Sequence, residues 1–288
     1  MAGLFDLEFH EKKIKKYQPI LAKLDLVIDW EMFRETIETA LYVEPKGAGG
    51  RPPFDKIMMF KILILQKYYN LSDEQTEFQI NDRTSFKQFL GLKIGDTIPD
   101  EKTIWHFKEQ LANKDLSKSL FEMFAVALMD KGIIAKEGSI VDATFVDVPK
   151  QRNSKEDNAD IKKGAVPLKF GKKDKNGKQS KLCQKDTDAR WMTKSGEKHF
   201  GFKDHINADE KTKLITKYSV TSAAPHDSTE IENIVDETDN RLHADSAYRS
   251  KEIEEHLKAI ECESFVHEKG YRGSPLTEQQ KNQKSEQE

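Results

Sequence analysis

Hydrophobic and polar positions divide the chain into two differently patterned halves. Over residues 54–69, apolar side chains at Phe54, Ile57, Met58, Ile62 and Leu65 recur at near-helical spacing, interrupted by Lys61 and preceded by Pro52-Pro53. Ser72-Asp73-Glu74-Gln75 has the form of a capping box, in which Ser72 accepts from a free backbone amide and Gln75 reaches back. A second helix therefore begins at Ser72. Gly91 and Gly95 punctuate the chain beyond that helix, and Asp100 is the N-cap expected for another helix ending near Leu111. Residues 116–129, with Leu120, Phe121, Phe124, Ala127 and Leu128 on one face, form the strongest amphipathic stretch, and Gly132 stops it.

After Gly138 the pattern shortens into β-branched runs. Residues 139–148, 201–207, 214–221, 241–244 and 263–267 read as strands, with helical stretches at 228–237 and 250–259. Three strands, a helix, a strand, a helix and a strand describe a mixed sheet with helices on its faces. Residues 150–198 fit neither period: they are rich in Lys, Asn, Asp, Gly and Ser, and read as a long loop whose ordering needs a partner. The expected architecture is α+β or α/β, with a helical domain over 1–135 and a sheet domain over 136–288 that carries a basic insertion at 150–198.

Composition narrows the function classes. A chain of 288 residues buries sizeable cores without staples, and 34% charged residues implies much solvated or ligand-facing surface. Its two cysteines, Cys183 and Cys262, lie far apart without C-x-x-C spacing, which argues against a zinc site, a redox pair or a disulfide framework and fits a reducing cytoplasm. The first ten residues lack a basic region followed by an apolar one, and the most apolar run, 57–65, is short and broken by Lys61, so the sequence reads as soluble and not secreted. Net charge is −3, yet 150–198 holds fifteen Lys or Arg against seven Asp or Glu, a local excess of +8 that leaves −11 for the remainder. That segment, with Lys172 and Lys173 within it, reads either as a phosphate-tracking surface or as a solvated loop.

Two acids stand where strands end: Asp142 in Ile140-Val141-Asp142-Ala143-Thr144, and Asp245 in Leu242-His243-Ala244-Asp245-Ser246. An acid in an apolar strand is costly to bury unless it is paired or binds a cation. One reading is a strand-end acid that caps a helix or meets a lysine; the other is a shared Mg²⁺ site, since hard oxygen ligands suit that ion. Asp147, five residues beyond Asp142 on an extended strand, faces the other side. Lys203 and His205 share a face and reach either substrate phosphate and the metal-site periphery or plain solvent. Tyr248-Arg249 reads as a DNA contact or as a helix-entry anchor. His226-Asp227-Ser228 reads as a helix start capped by Asp227 or Ser228. Trp105, His106 and Lys108 have the form of a helix-turn-helix reader, with Trp105 read as core.

In this order, Ile140-Val141-Asp142-Ala143-Thr144, Gly201-Phe202-Lys203-Asp204-His205, His226-Asp227-Ser228 and Ala244-Asp245-Ser246-Ala247-Tyr248 resemble the DDE transposases of bacterial insertion sequences, in particular the insertion-sequence-five family. Arg51-Pro52-Pro53-Phe54, entering a long helix, is similar to that family's amino-terminal domain, and the resemblance spans roughly residues 12–275. It implies a ribonuclease-H-like core with Asp142 on the first strand and Asp245 on the fourth as the first two acids of the catalytic triad. It further implies Mg²⁺ or Mn²⁺ as cofactor, and double-stranded DNA at terminal inverted repeats and at the target as partner. A homodimer for paired ends, a cytoplasmic and nucleoid-associated location, and no membrane complete the expectation.

The family's third acid is a Glu in a motif R-x-x-x-E or R-x-R-x-E, which is absent here. Residues 274–288 are polar, and Glu278, Glu286 and Glu288 do not follow an Arg at that spacing, so the third carboxylate is unassigned. The expectation drawn is an incomplete reading frame, with a non-catalytic DNA-binding product as the alternative function. A phosphatase using an aspartyl nucleophile ranks last, because Ala143-Thr144 follows Asp142 where D-x-D-x-T is required.

Overall fold

In the computed structural model, the described residues are 19–44, 52–167, 170–173, 179–181, 185–194 and 196–268, with 9, 12, 13, 16, 47 and 49 besides. Cys183, Glu278, Glu286 and Glu288 lie outside them. The chain divides into two compact units, residues 1–124 and 125–288.

Local signals set the helices of the first unit. Its helices are α1 (Pro19–Val27), α2 (Arg34–Ala40), α3 (Lys56–Tyr68), α4 (Asp73–Asp82), α5 (Thr84–Leu90) and α6 (Glu101–Asn113), and α7 (Leu116–Asp130) starts within it. Asp55 caps α3 by accepting from the Met58 amide at 2.8 Å. The capping box closes at α4, with Ser72 Oγ accepting from Gln75 N at 3.1 Å and Gln75 Oε1 accepting from Ser72 N at 3.3 Å. Asp100 caps α6 through Thr103 N at 2.7 Å. The inward stripes, Ile57, Met59, Ile62 and Leu65 of α3 and Ile104, Phe107 and Leu111 of α6, join one core. Lys61, which broke the apolar run, is accommodated because its ammonium pairs with Asp25 at 2.9 Å and lies 4.2 Å from the Phe89 ring centre.

Trp105 is not core, contrary to expectation: it is 52% exposed. One position from Ile104 is a rotation of about 100° on a helix, so once Ile104, Phe107 and Leu111 face inward, Trp105 shares the outer face with Lys102 and His106.

In the second unit the strands are β1 (Ser139–Asp147), β2 (Gly171–Lys173), β3 (Gln179–Lys181), β4 (Arg190–Lys194), β5 (Glu197–Asp209), β6 (Ile215–Ser222), β7 (Arg241–Ala244) and β8 (Glu263–Val266). β1 runs antiparallel to β5, which also pairs antiparallel with β4 and β6, while β7 and β8 continue the sheet in parallel on the other side of β1. The helices α9 (Ile231–Ile234) and α10 (Lys251–Ala259) bury Ile231, Ile234, Ile253 and Leu257 in a core with Val141, Leu242 and Ala244. Residues 228–237, expected to be one helix, instead form a 3-10 turn, Asp227–Glu230, followed by the single turn of α9.

The reading of 150–198 as a loop is corrected in its described part. It contains α8 (Lys155–Lys162), the β2-β3 hairpin, and β4, which joins the main sheet. Ser154 and Asp157 make a capping box for α8, and Ile161, Phe170 and Ala189 are buried. A few well-placed apolar residues suffice because β5 begins at Glu197, four residues earlier than predicted, and gives β4 an edge to pair with. At Gly201 a Cβ would collide with the carbonyl of Val146, so only glycine lets β5 lie along the end of β1 there.

Candidate active site

The sheet brings Asp142 and Asp245 side by side. β1 pairs with β7 over three positions, ending at Val141↔Ala244, and the next residue on each strand is an aspartate. Neighbouring strands lie about 4.8 Å apart. β7 then leaves the sheet through a 3-10 turn, Ser246–Tyr248, so the edge of β1 opens at Asp142 and both acids are exposed. Alternation puts them on the same face, with Ile140 and His243.

Each acid spends one oxygen on the local backbone. Asp142 Oδ1 accepts from Ala143 N at 2.7 Å, and Asp245 Oδ1 accepts from Ala247 N at 2.8 Å and so caps its turn. Asp245 therefore has the capping role of the simpler reading, but neither acid meets a cationic side chain among the described residues. Two adjacent, un-neutralised carboxylates with outward oxygens fit a hard divalent cation. Among the described residues, no group of three His, Cys, Asp or Glu side chains is placed to hold a metal ion.

Behind this pair runs a file of buried polar residues. Lys203, His205, Asn207 and Asp209 alternate along β5 on its inner face, each at most 2% exposed. Lys203 Nζ lies 2.7 Å from Asp227 Oδ1 and donates to the Pro225 carbonyl at 2.5 Å. His205 Nε2 meets Thr221 Oγ1 at 3.0 Å, and burial holds its pKa below the ordinary value against the opposing charges of Asp227 and Glu230. Asn207 donates to the Ile234 carbonyl at 2.7 Å. For Asp209, burial raises the pKa, but hydrogen bonds from Thr212, Lys136 and Lys211 outweigh it and leave the carboxyl lowered. Lys203 and His205 thus face neither solvent nor an open substrate surface.

Tyr248 is 1% exposed and presents no ring face for a base to stack on. Burial first, then the charges of Asp227, Asp142 and Asp245, push its phenol above the ordinary range. Arg249 is held by Glu254 and Glu268, each at 2.8 Å. Lys172 and Lys173 stand on β2, but their side chains lie outside the described residues. The cap expected at Asp227 or Ser228 is His226, whose side chain accepts from Ser228 N at 3.3 Å. That frees the Asp227 carboxylate for Lys203. Its signal in the sequence was only the motif His226-Asp227-Ser228, because its partner is twenty-four positions away.

The sheet order, with a helical unit before it and two carboxylates abreast where the parallel β1-β7 pairing ends, defines a ribonuclease-H-like fold. The model of the Transposase DDE domain matches residues 134–286, and that of the Transposase domain (DUF772) matches residues 8–110. The chain belongs to the DDE transposases, enzymes of DNA transposition and recombination. No solved structure matches the chain. Among the described residues, no helix is long and apolar enough to cross a membrane.

Proposed function

We propose that the protein cleaves and joins DNA strands at the ends of a mobile element of the insertion-sequence-five kind, with Asp142 and Asp245 holding Mg²⁺ or Mn²⁺. The observation that carries this reading is the parallel register ending at Val141↔Ala244, which leaves two exposed carboxylates abreast without a cationic partner. A divalent cation bound there supplies charge stabilisation for in-line displacement at phosphorus and lowers the pKa of an attacking water. The protein's own contribution is to hold one oxygen ligand within β1 and one at the exit of β7, each oriented by a backbone amide.

The helical unit is read as the part that binds element ends, through the outer face of α6 with Lys102, Trp105 and His106. Arg249, Lys172 and Lys173 are proposed as phosphate contacts. Synapsis of two ends makes a homodimer the working species.

The test is cleavage of DNA carrying the element's terminal repeats, with and without Mg²⁺ or Mn²⁺. Cleavage that needs the cation and disappears in Asp142→Asn and in Asp245→Asn supports the reading; cleavage retained by either variant refutes the ligand assignment. Salt-sensitive binding of the ends without cleavage at any cation concentration favours a non-catalytic end-binding protein.

A further inference from the structure

Three parallel strands bring a third polar side chain into line with the two acids. β1 and β7 are in register to Val141↔Ala244, and β7 and β8 to Ala244↔Val266, so the next residues across the sheet are Asp142, Asp245 and His267. The backbone N–H of His267 donates to the Ala244 carbonyl at 3.1 Å, which carries the alignment past the last paired residue of β8. Two residues earlier on each strand, the His243 ring stacks on Phe265, with centroids 5.0 Å apart and planes at 16°. Side chains of β7 and β8 therefore meet directly on the face that carries the acids, and alternation makes Asp245 and His267 the next pair on it.

The two histidines differ in their engagements. His243 is stacked, and its Nε2 lies 3.6 Å from Glu210 Oε1. His267 Nδ1 is buried and has no hydrogen-bond partner among the described residues. The ring as a whole is only half-buried, so Nε2 is the nitrogen left to face outward. Its backbone is nevertheless fixed: the following residue, Glu268, pairs with Arg249 at 2.8 Å, and Arg249 closes the turn that Asp245 caps. An imidazole beside two carboxylates serves either as a third ligand of the ion or as a contact to what the ion holds. Asp142, Asp245 and His267 do not converge on one ion position, and the outer two strands of the three lie about 10 Å apart. A carboxylate in the place of His267 would repel a phosphodiester, whereas an imidazole in either protonation state offers it an N–H.

We propose that His267 is a third residue of the site, donating from Nε2 to a non-bridging oxygen of the DNA phosphate that a cation on Asp142 and Asp245 draws in. It holds the substrate and not the cation. The inference rests on Asp142 and Asp245 being cation ligands, and its test separates the two ideas.

Full-length wild type, His267→Phe, His267→Ala and Asp142→Asn are compared in two binding measurements. The first titrates terminal-repeat DNA in Ca²⁺, a hard cation that takes oxygen ligands, with the scissile phosphate either native or replaced by each stereoisomer of an uncharged methylphosphonate. The second reads Mn²⁺ binding from the electron paramagnetic resonance signal of the free ion. Both His267 variants are expected to weaken binding of native DNA about tenfold, the order of one hydrogen bond to a charged group, and to leave Mn²⁺ binding unchanged. One methylphosphonate stereoisomer is expected to cost wild type about tenfold more than it costs either His267 variant, in which the contact is already gone. Asp142→Asn is expected to abolish specific Mn²⁺ binding. An equal methylphosphonate penalty in wild type and the His267 variants, or none in wild type, overturns the phosphate contact. A loss confined to one of the two His267 variants is a packing effect and also overturns it. Weakened Mn²⁺ binding in both makes His267 an ion ligand, against the proposal, and leaves the aspartate assignment standing. If Asp142→Asn binds Mn²⁺ like wild type, the ligand assignment itself fails.

Discussion

Replacing Lys203 with Met separates a supporting role from a DNA-contacting one. The lysine is 2% exposed, and its ammonium lies 2.7 Å from an Asp227 carboxylate whose side chain is 22% exposed. Methionine occupies nearly the same volume, so the cavity contribution is small, and the main cost is a carboxylate left without its cation. Removing one member of a fully buried pair costs about 3–5 kcal/mol. Residual hydration of Asp227 reduces this to roughly 2–3 kcal/mol. For a unit of this size the melting temperature falls by roughly 4–12 °C. Urea unfolding of Lys203→Met, Asp227→Asn and the double variant gives the coupling energy directly, and the double variant should recover much of the single-variant loss. A loss below about 1 kcal/mol, accompanied by a smaller salt dependence of DNA binding, would show that Lys203 faces phosphate and not Asp227.

Three further outcomes are expected from the same geometry. Asp142 and Asp245 repel by about 0.8 kcal/mol at roughly 5 Å in a water-like medium, so Asp142→Asn is expected to melt slightly higher than wild type without divalent cation. Mg²⁺ should close that gap by stabilising wild type alone; scanning fluorimetry reads both, and a less stable variant refutes the repulsion. Trp105→Ala is expected to change stability by no more than about 0.5 kcal/mol, yet to weaken binding of terminal-repeat DNA about tenfold if its ring stacks on a base. Undiminished binding in a gel-shift titration removes the α6 face from the interface. His205, with its pKa depressed by burial, is neutral in the fold, and protonation favours the unfolded chain. The stability it contributes is therefore present above its unfolded pKa of about 6.5 and drains below it, by up to about 1.4 kcal/mol per pH unit, until the folded pKa is passed. The stability difference between wild type and His205→Gln, measured in urea at pH 7.5 and 5.5, should shrink at the lower pH; a constant difference counts against a buried neutral imidazole.

What could be read from the sequence was local. Ser72 with Gln75, and Asp100 before α6, act within three residues, so their caps appear at the predicted positions. The strand Arg241–Ala244 agrees to the residue because its alternation and its exit at Asp245 are both written in five consecutive letters. The adjacency of Asp142 and Asp245 needed one further assumption, that their strands are neighbours, and the β1-β7 register supplies it. The partners of the β5 polar residues could not be read in this way. Lys203 and His205 alternate with half-buried positions as a solvated strand would, and their burial follows from Asp227 and Thr221 arriving from elsewhere in the chain. The order in 150–198 was missed for a related reason. Its capping box has Asp157 where Glu or Gln is usual, and β4 owes its place to an extension of β5 through Lys198 and His199, residues with no apolar signal.

The polar file along β5 also works as a ratchet on strand alignment. An ordinary sheet strand with a greasy inner face can slide by two residues and still bury grease against grease. Here such a slide would carry Lys203, His205 and Asn207 each about 6.7 Å from its present position, away from Asp227, Thr221 and the Ile234 carbonyl respectively. Each displaced group would be left dry and unmatched, at about 1–3 kcal/mol apiece and more for the charged one. The strand that holds β1, and with it Asp142, in place thus has one alignment in which Lys203, His205 and Asn207 each meet these partners.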